Sequence, residues 1–97
     1  MISKNQKKFL RSLLHNKKVV IQIGQNGLTE NVSKEIDQAL GHHELIKIRI
    51  RNHDRELRKK LAEQICTENN AIMIQNIGSV YSIYRKNEDE PVIVLPD

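Results

Sequence analysis

The stretch 19-VVIQIGQNGLTENVSKEI-36 decides the fold, because it joins two hydrophobic patterns through a pair of glycines. A run of branched apolar residues ends at Gly24, and apolar residues at helical spacing begin after Gly27. This order predicts a strand, a GxxG loop and a helix. The glycines have two interpretations. They either allow a tight turn with positive φ, or they open the main chain to a phosphate beside a helix N-terminus.

The same periodicities divide the rest of the chain. Helices are predicted over residues 4–14, after the GxxG loop and after Asp54, and strands over residues 18–23, 45–51, 71–77 and 80–84. Ser3 and Gln6 have the spacing of a capping box, and Asp54 is a suitable N-cap. The pair Gly78-Ser79 between two apolar runs indicates a two-residue hairpin.

Apolar stripes indicate which helix faces are buried. The second helix carries Val32, Ile36, Ala39 and Leu40, and Gly41 is predicted to stop it. The third carries Leu57, Leu61 and Ile65, and two asparagines at 69–70 end it.

Within the segment 45–51, residues 46–51 alternate strictly between apolar and basic side chains. Alternation places Ile46, Ile48 and Ile50 on one side of the strand and Lys47, Arg49 and Arg51 on the other. We therefore expect the isoleucines in the core and the three cations exposed.

The element order is α-β-α-β-α-β-β. Strands separated by helices favour parallel pairing through right-handed crossovers, and the last hairpin adds one antiparallel strand. We expect a single two-layer α/β domain over residues 1–97 with a mixed four-stranded sheet and a core of about 3–86. The tail 87–97 is either an extra edge strand or a loosely docked segment.

Composition excludes several classes of function. The single cysteine, Cys66, rules out an intramolecular disulfide and is expected to be half-buried. His42 and His43 are adjacent on what reads as an extended segment, where they would point to opposite sides, so we expect no metal, no cofactor and no catalysis. Three aromatic residues argue against a base-stacking platform. Without a membrane-spanning run or a signal-peptide pattern, we expect a cytoplasmic protein. We also expect it to be a monomer.

The basic residues are concentrated in two segments. The chain has 16 basic and 12 acidic residues, and 13 of the 16 cations lie in residues 1–18 and 47–60. On the first helix Lys4, Lys7, Lys8 and Arg11 form a basic stripe beside the apolar one. Such a stripe is typical of nucleic-acid binding. The acids of the second helix, Glu30, Glu35 and Asp37, must then face away from the bound phosphates.

Two motifs together, 23-IGQNGLTE-30 and 42-HHELIKIRI-50, closely resemble the CRM domain, and more narrowly the bacterial single-domain YhbY family. The likeness extends from Lys7 to about Arg85. It implies a fold similar to the C-terminal domain of bacterial translation initiation factor three, with the fourth strand inserted antiparallel between the second and third. It also implies an RNA-binding protein that associates with precursors of the large ribosomal subunit.

The resemblance assigns the RNA-binding loop to Gly24, Gln25, Asn26 and Gly27. The charge layout assigns the basic surface to Lys4, Lys7, Lys8, Arg11, Lys17, Lys18, Lys47, Arg49 and Arg51. Two other hypotheses stay open: a factor that docks on a ribosomal or assembly protein with incidental RNA contact, and an enzyme that acts on RNA through its histidines.

Overall fold

A computed structural model describes residues 2–97. Its helices are α1 (Lys4–Leu13), α2 (Glu30–His43) and α3 (Arg55–Asn69), and its strands are β1 (Val19–Ile23), β2 (Leu45–Ile50), β3 (Ile72–Ile77) and β4 (Val80–Tyr84). A 3₁₀ turn, Leu14–Asn16, extends α1. The predicted caps are present, because Ser3 and Gln6 form a reciprocal capping box and Asp54 accepts from the amides of Glu56 and Leu57.

The four strands form one mixed sheet in the order β1-β2-β4-β3. The pair β1 and β2 is parallel, and β4 is antiparallel to both of its neighbours. The predicted α/β fold and mixed sheet are confirmed, as is the strand order that the resemblance implies. The hairpin turns at Gly78, whose φ is +58°.

The main core lies between the sheet and the pair α2 and α3. Ile46, Ile48 and Ile50 of β2 are buried there. Their partners are Ile36 and Leu40 of α2, Ala62 and Ile65 of α3, and further apolar residues of β1 and β4.

Leu57 does not join this core, contrary to the prediction, and its side chain is 51% exposed. The buried stripe of α3 follows Ala62 and Ile65, with Leu61 and Cys66 half-buried beside them. Because residues four apart on a helix are offset by about 40°, Leu57 lies at the margin of that stripe.

The helix α1 packs on the opposite face of the sheet. Its side chains Leu10 and Leu14 are buried and form a second apolar cluster with Leu45, Ile74 and Tyr84. The two-layer description therefore holds for α2 and α3 against the sheet, whereas α1 covers only one end of the other face. The remainder of that face, which includes Lys47 and Arg49, stays open and is called the open face below.

Gly41 does not stop α2, contrary to the prediction. The helix continues to His43, and Glu44 ends it with φ of +64° while its amide donates to the Leu40 carbonyl at 2.9 Å. Consequently His42 and His43 occupy the last helical turn and not an extended segment. A left-handed glutamate is strained, so its side chain must compensate.

The Glu44 carboxylate holds the C-terminal tail. Glu44 is fully buried, and its two oxygens accept hydrogen bonds from the amides of Asn87 (2.7 Å), Val92 (2.7 Å) and Ile93 (2.6 Å). These charge-assisted hydrogen bonds offset the free-energy cost of removing the carboxylate from water. The tail therefore docks without forming a strand.

The docked tail also contacts α1. Ile93 and Leu95 pack against the second apolar cluster, and the Gln6 amide donates to the Pro96 carbonyl at 2.9 Å. The tail thus contributes to seating α1 on the sheet.

We predict that Glu44→Gln destabilises the fold by about 1–3 kcal/mol, because an amide nitrogen would face a buried backbone donor. Urea denaturation would measure the change, and hydrogen exchange at Asn87, Val92 and Ile93 should accelerate. Glu90→Gln, in the exposed part of the tail, is the matched control. An unchanged midpoint and unchanged exchange in Glu44→Gln would contradict the assigned role.

Candidate nucleic-acid interface

The GxxG loop is a β-turn in which the two glycines differ. The Gly27 amide donates to the Gly24 carbonyl at 3.1 Å, and Gly27 has φ of +70°. The turn therefore favours glycine at 27. Gly24 has no positive φ, and a Cβ there would meet nothing within 4 Å. Neither a positive φ nor a steric contact requires glycine at 24, so the two glycines do not share one structural reason.

The helix α2 begins directly behind this loop. Thr29 caps it, accepting from the Val32 amide at 3.2 Å. Gln25 and Asn26 are exposed at the tip of the turn. Polar side chains and the partial positive charge of a helix N-terminus are therefore presented on the same side of the domain.

The loop shares a hollow with the end of β2. This hollow encloses about 680 Å³ and is lined by Gly24, Gln25, Ile50, Arg51, Asn52, His53 and Ser79. Arg51 is fixed there, since its amide donates to the Ile23 carbonyl at 2.9 Å and its Nε to Gln22 Oε1 at 2.8 Å. The Arg51 guanidinium is thus held next to the main chain at Gly24, where no side chain intervenes.

A second groove runs between α1 and the open face. It encloses about 480 Å³ and is lined by Lys8, Arg11, Ser12, Leu14, His15, Lys47, Gln75 and Ile77. The Arg11 Nε donates to the Ile74 carbonyl at 3.3 Å, which draws α1 toward β3. Two cations from α1 therefore meet one from β2.

The strand β2 connects the two hollows. Lys47, Arg49 and Arg51 follow one another on the open side, at about 6.6–6.8 Å per two residues. Lys47 belongs to the α1 groove and Arg51 to the loop hollow, with Arg49 between them. In the described part of the chain, neither hollow has an aspartate or glutamate in its lining. We call the two hollows, together with Lys47, Arg49 and Arg51, the basic path.

Some predicted site residues lie outside these two hollows. They are Lys4, Lys7, Lys17, Lys18, Asn26, Gly27 and Arg49. Lys4 lies one helical turn before Lys8 on the same flank of α1. Lys17 and Lys18 precede β1, at the opposite end of that strand from the GxxG loop. The expectation that Lys47, Arg49 and Arg51 are all exposed is only partly met, since Lys47 and Arg49 are half-buried.

Two of the three acids of α2 are paired with cations, and the condition that all three face away from bound phosphates stays a prediction. The helix packs through Ile36 and Leu40 on the face opposite the basic path. Asp37 forms an ion pair with Arg85 at 2.8 Å, and Glu30 lies 3.6 Å from the Lys34 ammonium. The body of α2 thus lies on the far side of the sheet from Lys47 and Arg49, whereas Glu30, in its first turn, directly follows the GxxG loop.

Sequence reasoning missed several residues that line these hollows, including Asn52, His53, Gln75 and Ile77. Asn52 and His53 follow β2 in the loop before α3, and Gln75 and Ile77 belong to β3. Gln75 and Ile77 reach the hollow only because the strand order places β3 beside β4 and under α1. The one hint in the sequence was a polar residue, Gln75, in an otherwise largely apolar strand.

The chain is similar to known proteins over nearly its whole length. The family model described as the CRS1 / YhbY (CRM) domain matches residues 2–85. A protein of Haemophilus influenzae named RNA-binding protein is 43% identical over 95 residues, which cover 98% of this chain and 95% of that protein. The probable RNA-binding protein YqeI of Bacillus subtilis is 31% identical over 96 residues, covering 99% and 100%.

A solved structure shares the whole fold. The solution structure of the hypothetical protein SAV1595 from Staphylococcus aureus, a putative RNA binding protein by its title, superposes with a TM-score of 0.82 at 38% identity. The match covers 99% of this chain and 100% of that one. The tail is therefore included in the structural similarity, beyond the residues that the family model matches.

Three features bear on other functions. Within residues 2–97, no group of three or more histidines, cysteines, aspartates or glutamates is arranged to hold a metal ion. No helix in the same range has both the length and the apolar content needed to cross a bilayer.

Burial, with a smaller contribution from Glu63, raises the pKa of the Cys66 thiol to about 11. Cys66 is therefore a poor nucleophile at neutral pH.

The raised pKa predicts the alkylation profile of Cys66. Because a higher pKa leaves less thiolate at a given pH, the rate with iodoacetamide should still climb about tenfold per unit between about pH 8 and pH 10. Mass spectrometry would follow the reaction. The urea-unfolded chain is the control, and its rate should level off just above the ordinary cysteine pKa. A folded protein that levels off at the same pH would contradict the assignment.

Proposed function

The chain belongs to the CRS1/YhbY (CRM) domain family, and from this membership we propose that it is an RNA-binding protein. RNA would lie along the basic path, from the groove beside α1 to the GxxG loop. The observation that carries the proposal is the meeting of Lys8 and Arg11 with Lys47 in one groove whose described lining has no carboxylate. The names of its relatives support the same partner.

The chemistry of the path suits a phosphodiester backbone. Each cation that neutralises a phosphate releases condensed counterions, which is a favourable term independent of sequence. Arg51, fixed by its bonds to Ile23 and Gln22, needs little ordering before it can bind a phosphate oxygen. Arg11 is similarly held by the Ile74 carbonyl.

The GxxG loop would bind the backbone differently. At Gly24 a phosphate or ribose can approach the main chain without meeting a Cβ. The exposed amides of Gln25 and Asn26 can donate to phosphate oxygens, and the N-terminus of α2 adds a favourable dipole. The loop would thus fix the position of one backbone segment, while the basic path supplies most of the affinity.

We further propose ribosomal RNA in precursors of the large subunit as the physiological partner, bound in the cytoplasm. The resemblance to the YhbY family supports this choice. Crosslinking in cells followed by sequencing of the attached RNA would test it. Enrichment of large-subunit rRNA with unprocessed ends is expected, and enrichment of unrelated RNAs would overturn the partner while leaving RNA binding intact.

Removing the α1 cations should change the salt dependence of binding. In Lys8→Ala/Arg11→Ala the slope of log affinity against log salt should become shallower by about one unit for each phosphate that is no longer neutralised, about two in all. Fluorescence anisotropy with labelled RNA at several salt concentrations gives the slope. Lys59→Ala/Lys60→Ala on α3 removes the same charge elsewhere and should leave the slope nearly unchanged. Equal slopes in all three proteins would place α1 away from the RNA.

A glutamate at position 24 tests the loop. Gly24→Glu should leave the fold intact, because the site is open and has no positive φ. RNA affinity should fall at least about tenfold, equivalent to about 1.4 kcal/mol, since a carboxylate would repel the phosphate. Gln38→Glu on exposed α2 adds the same charge elsewhere and is the control. Wild-type affinity in a folded Gly24→Glu protein would remove the loop from the interface.

A further inference from the structure

A small cavity on the open face has the chemistry of a nucleobase pocket. It encloses about 180 Å³ and is lined by Lys47, Gln75, Ile77, Val80 and Ser82. We infer that it binds an unpaired base of the RNA, so that the domain distinguishes single-stranded from fully paired segments. The inference rests on the proposed RNA-binding function and adds a base contact to it.

The sheet register builds the pocket from two adjacent rows of side chains. One row is polar: Lys47 on β2 pairs with Ser82 on β4, which pairs with Gln75 on β3. The next row is largely apolar, because Arg49 pairs with Val80, and Val80 with Ile77. Directly opposite residues on neighbouring strands have Cβ atoms about 4.5–5.5 Å apart, so each row is continuous.

The two rows match the two parts of a base. An aromatic base has apolar faces and a polar edge. The Ile77 and Val80 side chains can cover a face, while the Gln75 amide both donates and accepts at an edge. Ser82 is buried in the floor and adds a hydroxyl, and Lys47 stands at the rim.

The position of Ile77 is otherwise unexplained by the fold. Its side chain is 67% exposed on an open sheet face, although Ile74 of the same strand is buried. A single exposed hydrophobic residue is ordinary and by itself indicates nothing. Ile77, however, also lines the larger groove that contains Lys8, Arg11 and Lys47. The pocket therefore opens directly onto the basic path.

The positive charge around the pocket favours an RNA strand as its ligand. The described linings of the pocket and of the adjoining groove contain cations and no carboxylate. A nucleotide would place its phosphate among Lys8, Arg11 and Lys47 and its base in the pocket. A base inside a duplex has its edge paired and its faces stacked, so a duplex would gain only the phosphate contacts.

The test compares Ile77→Ser with Val20→Ser. Val20 is 50% exposed on β1, outside the lining of the pocket, and provides a matched loss of exposed apolar surface. Binding is measured by fluorescence anisotropy with a short oligouridine, a short oligoadenosine and a blunt RNA duplex of similar length. Ile77→Ser should bind the single strands about tenfold more weakly, because serine cannot cover the apolar face of the base, and the duplex as before.

The outcomes separate the pocket from the general function. If wild type binds none of the RNAs, RNA binding itself fails. If Ile77→Ser and Val20→Ser bind every RNA as wild type does, RNA binding stands and the pocket is refuted. An equal weakening for single strands and duplex would also refute it, since that pattern indicates phosphate binding alone.

A second variant tests the polar edge. Gln75→Ala should change the ratio of affinities for oligouridine and oligoadenosine, because the two bases present different donors and acceptors. Weaker phosphate binding alone would scale both affinities equally. Thermal denaturation of each variant confirms the folded state before binding is compared. An unchanged ratio in folded Gln75→Ala would exclude base readout by this residue.

Discussion

The fold and the proposed interface both depend on the alternation of apolar and basic residues from Ile46 onward in β2, the strand that pairs with both β1 and β4. Ile46, Ile48 and Ile50 hold α2 and α3 on one side, and Lys47 and Arg49 keep the other side polar and open. The side-chain period of a strand is two, so a slip of one residue would bury the cations and expose the isoleucines. The hydrophobic core therefore fixes the position of the basic path.

Local patterns were sufficient to predict most of the fold. Each helix and strand has its own periodicity, and the caps at Ser3 and Asp54 lie within three residues of the amides they satisfy. Glu44 shows where such patterns fail. It ends α2 in place of Gly41 because its carboxylate binds the amides of Asn87, Val92 and Ile93, which lie 43 to 49 residues away in sequence. A long-range bond of this kind overrides the local preference for glycine.

The sequence predicted many of the residues that make up the candidate site, but it did not predict which of them lie next to one another. The charge layout identifies the cations of α1 and β2, and the two glycines identify the loop. Which cations meet depends on the face of the sheet that α1 occupies, and this is decided by Leu10 and Leu14 packing on Leu45, Ile74 and Tyr84. The contributions of Gln75 and Ile77 follow from the pairing of β3 with β4, which places residues distant from β2 in sequence beside Lys47.

The contact between Gln6 and Pro96 spans 90 residues and has a consequence for the order of folding. A ribosome synthesises α1 before β3 and β4, yet the surface that receives Leu10 and Leu14 includes Ile74 and Tyr84. The parallel pair β1 and β2 with its crossover helix α2 can form from a shorter chain, whereas closing a loop of this length costs more entropy. The nascent α1 must therefore wait for β3 and β4 to emerge, and its groove is completed only after they do.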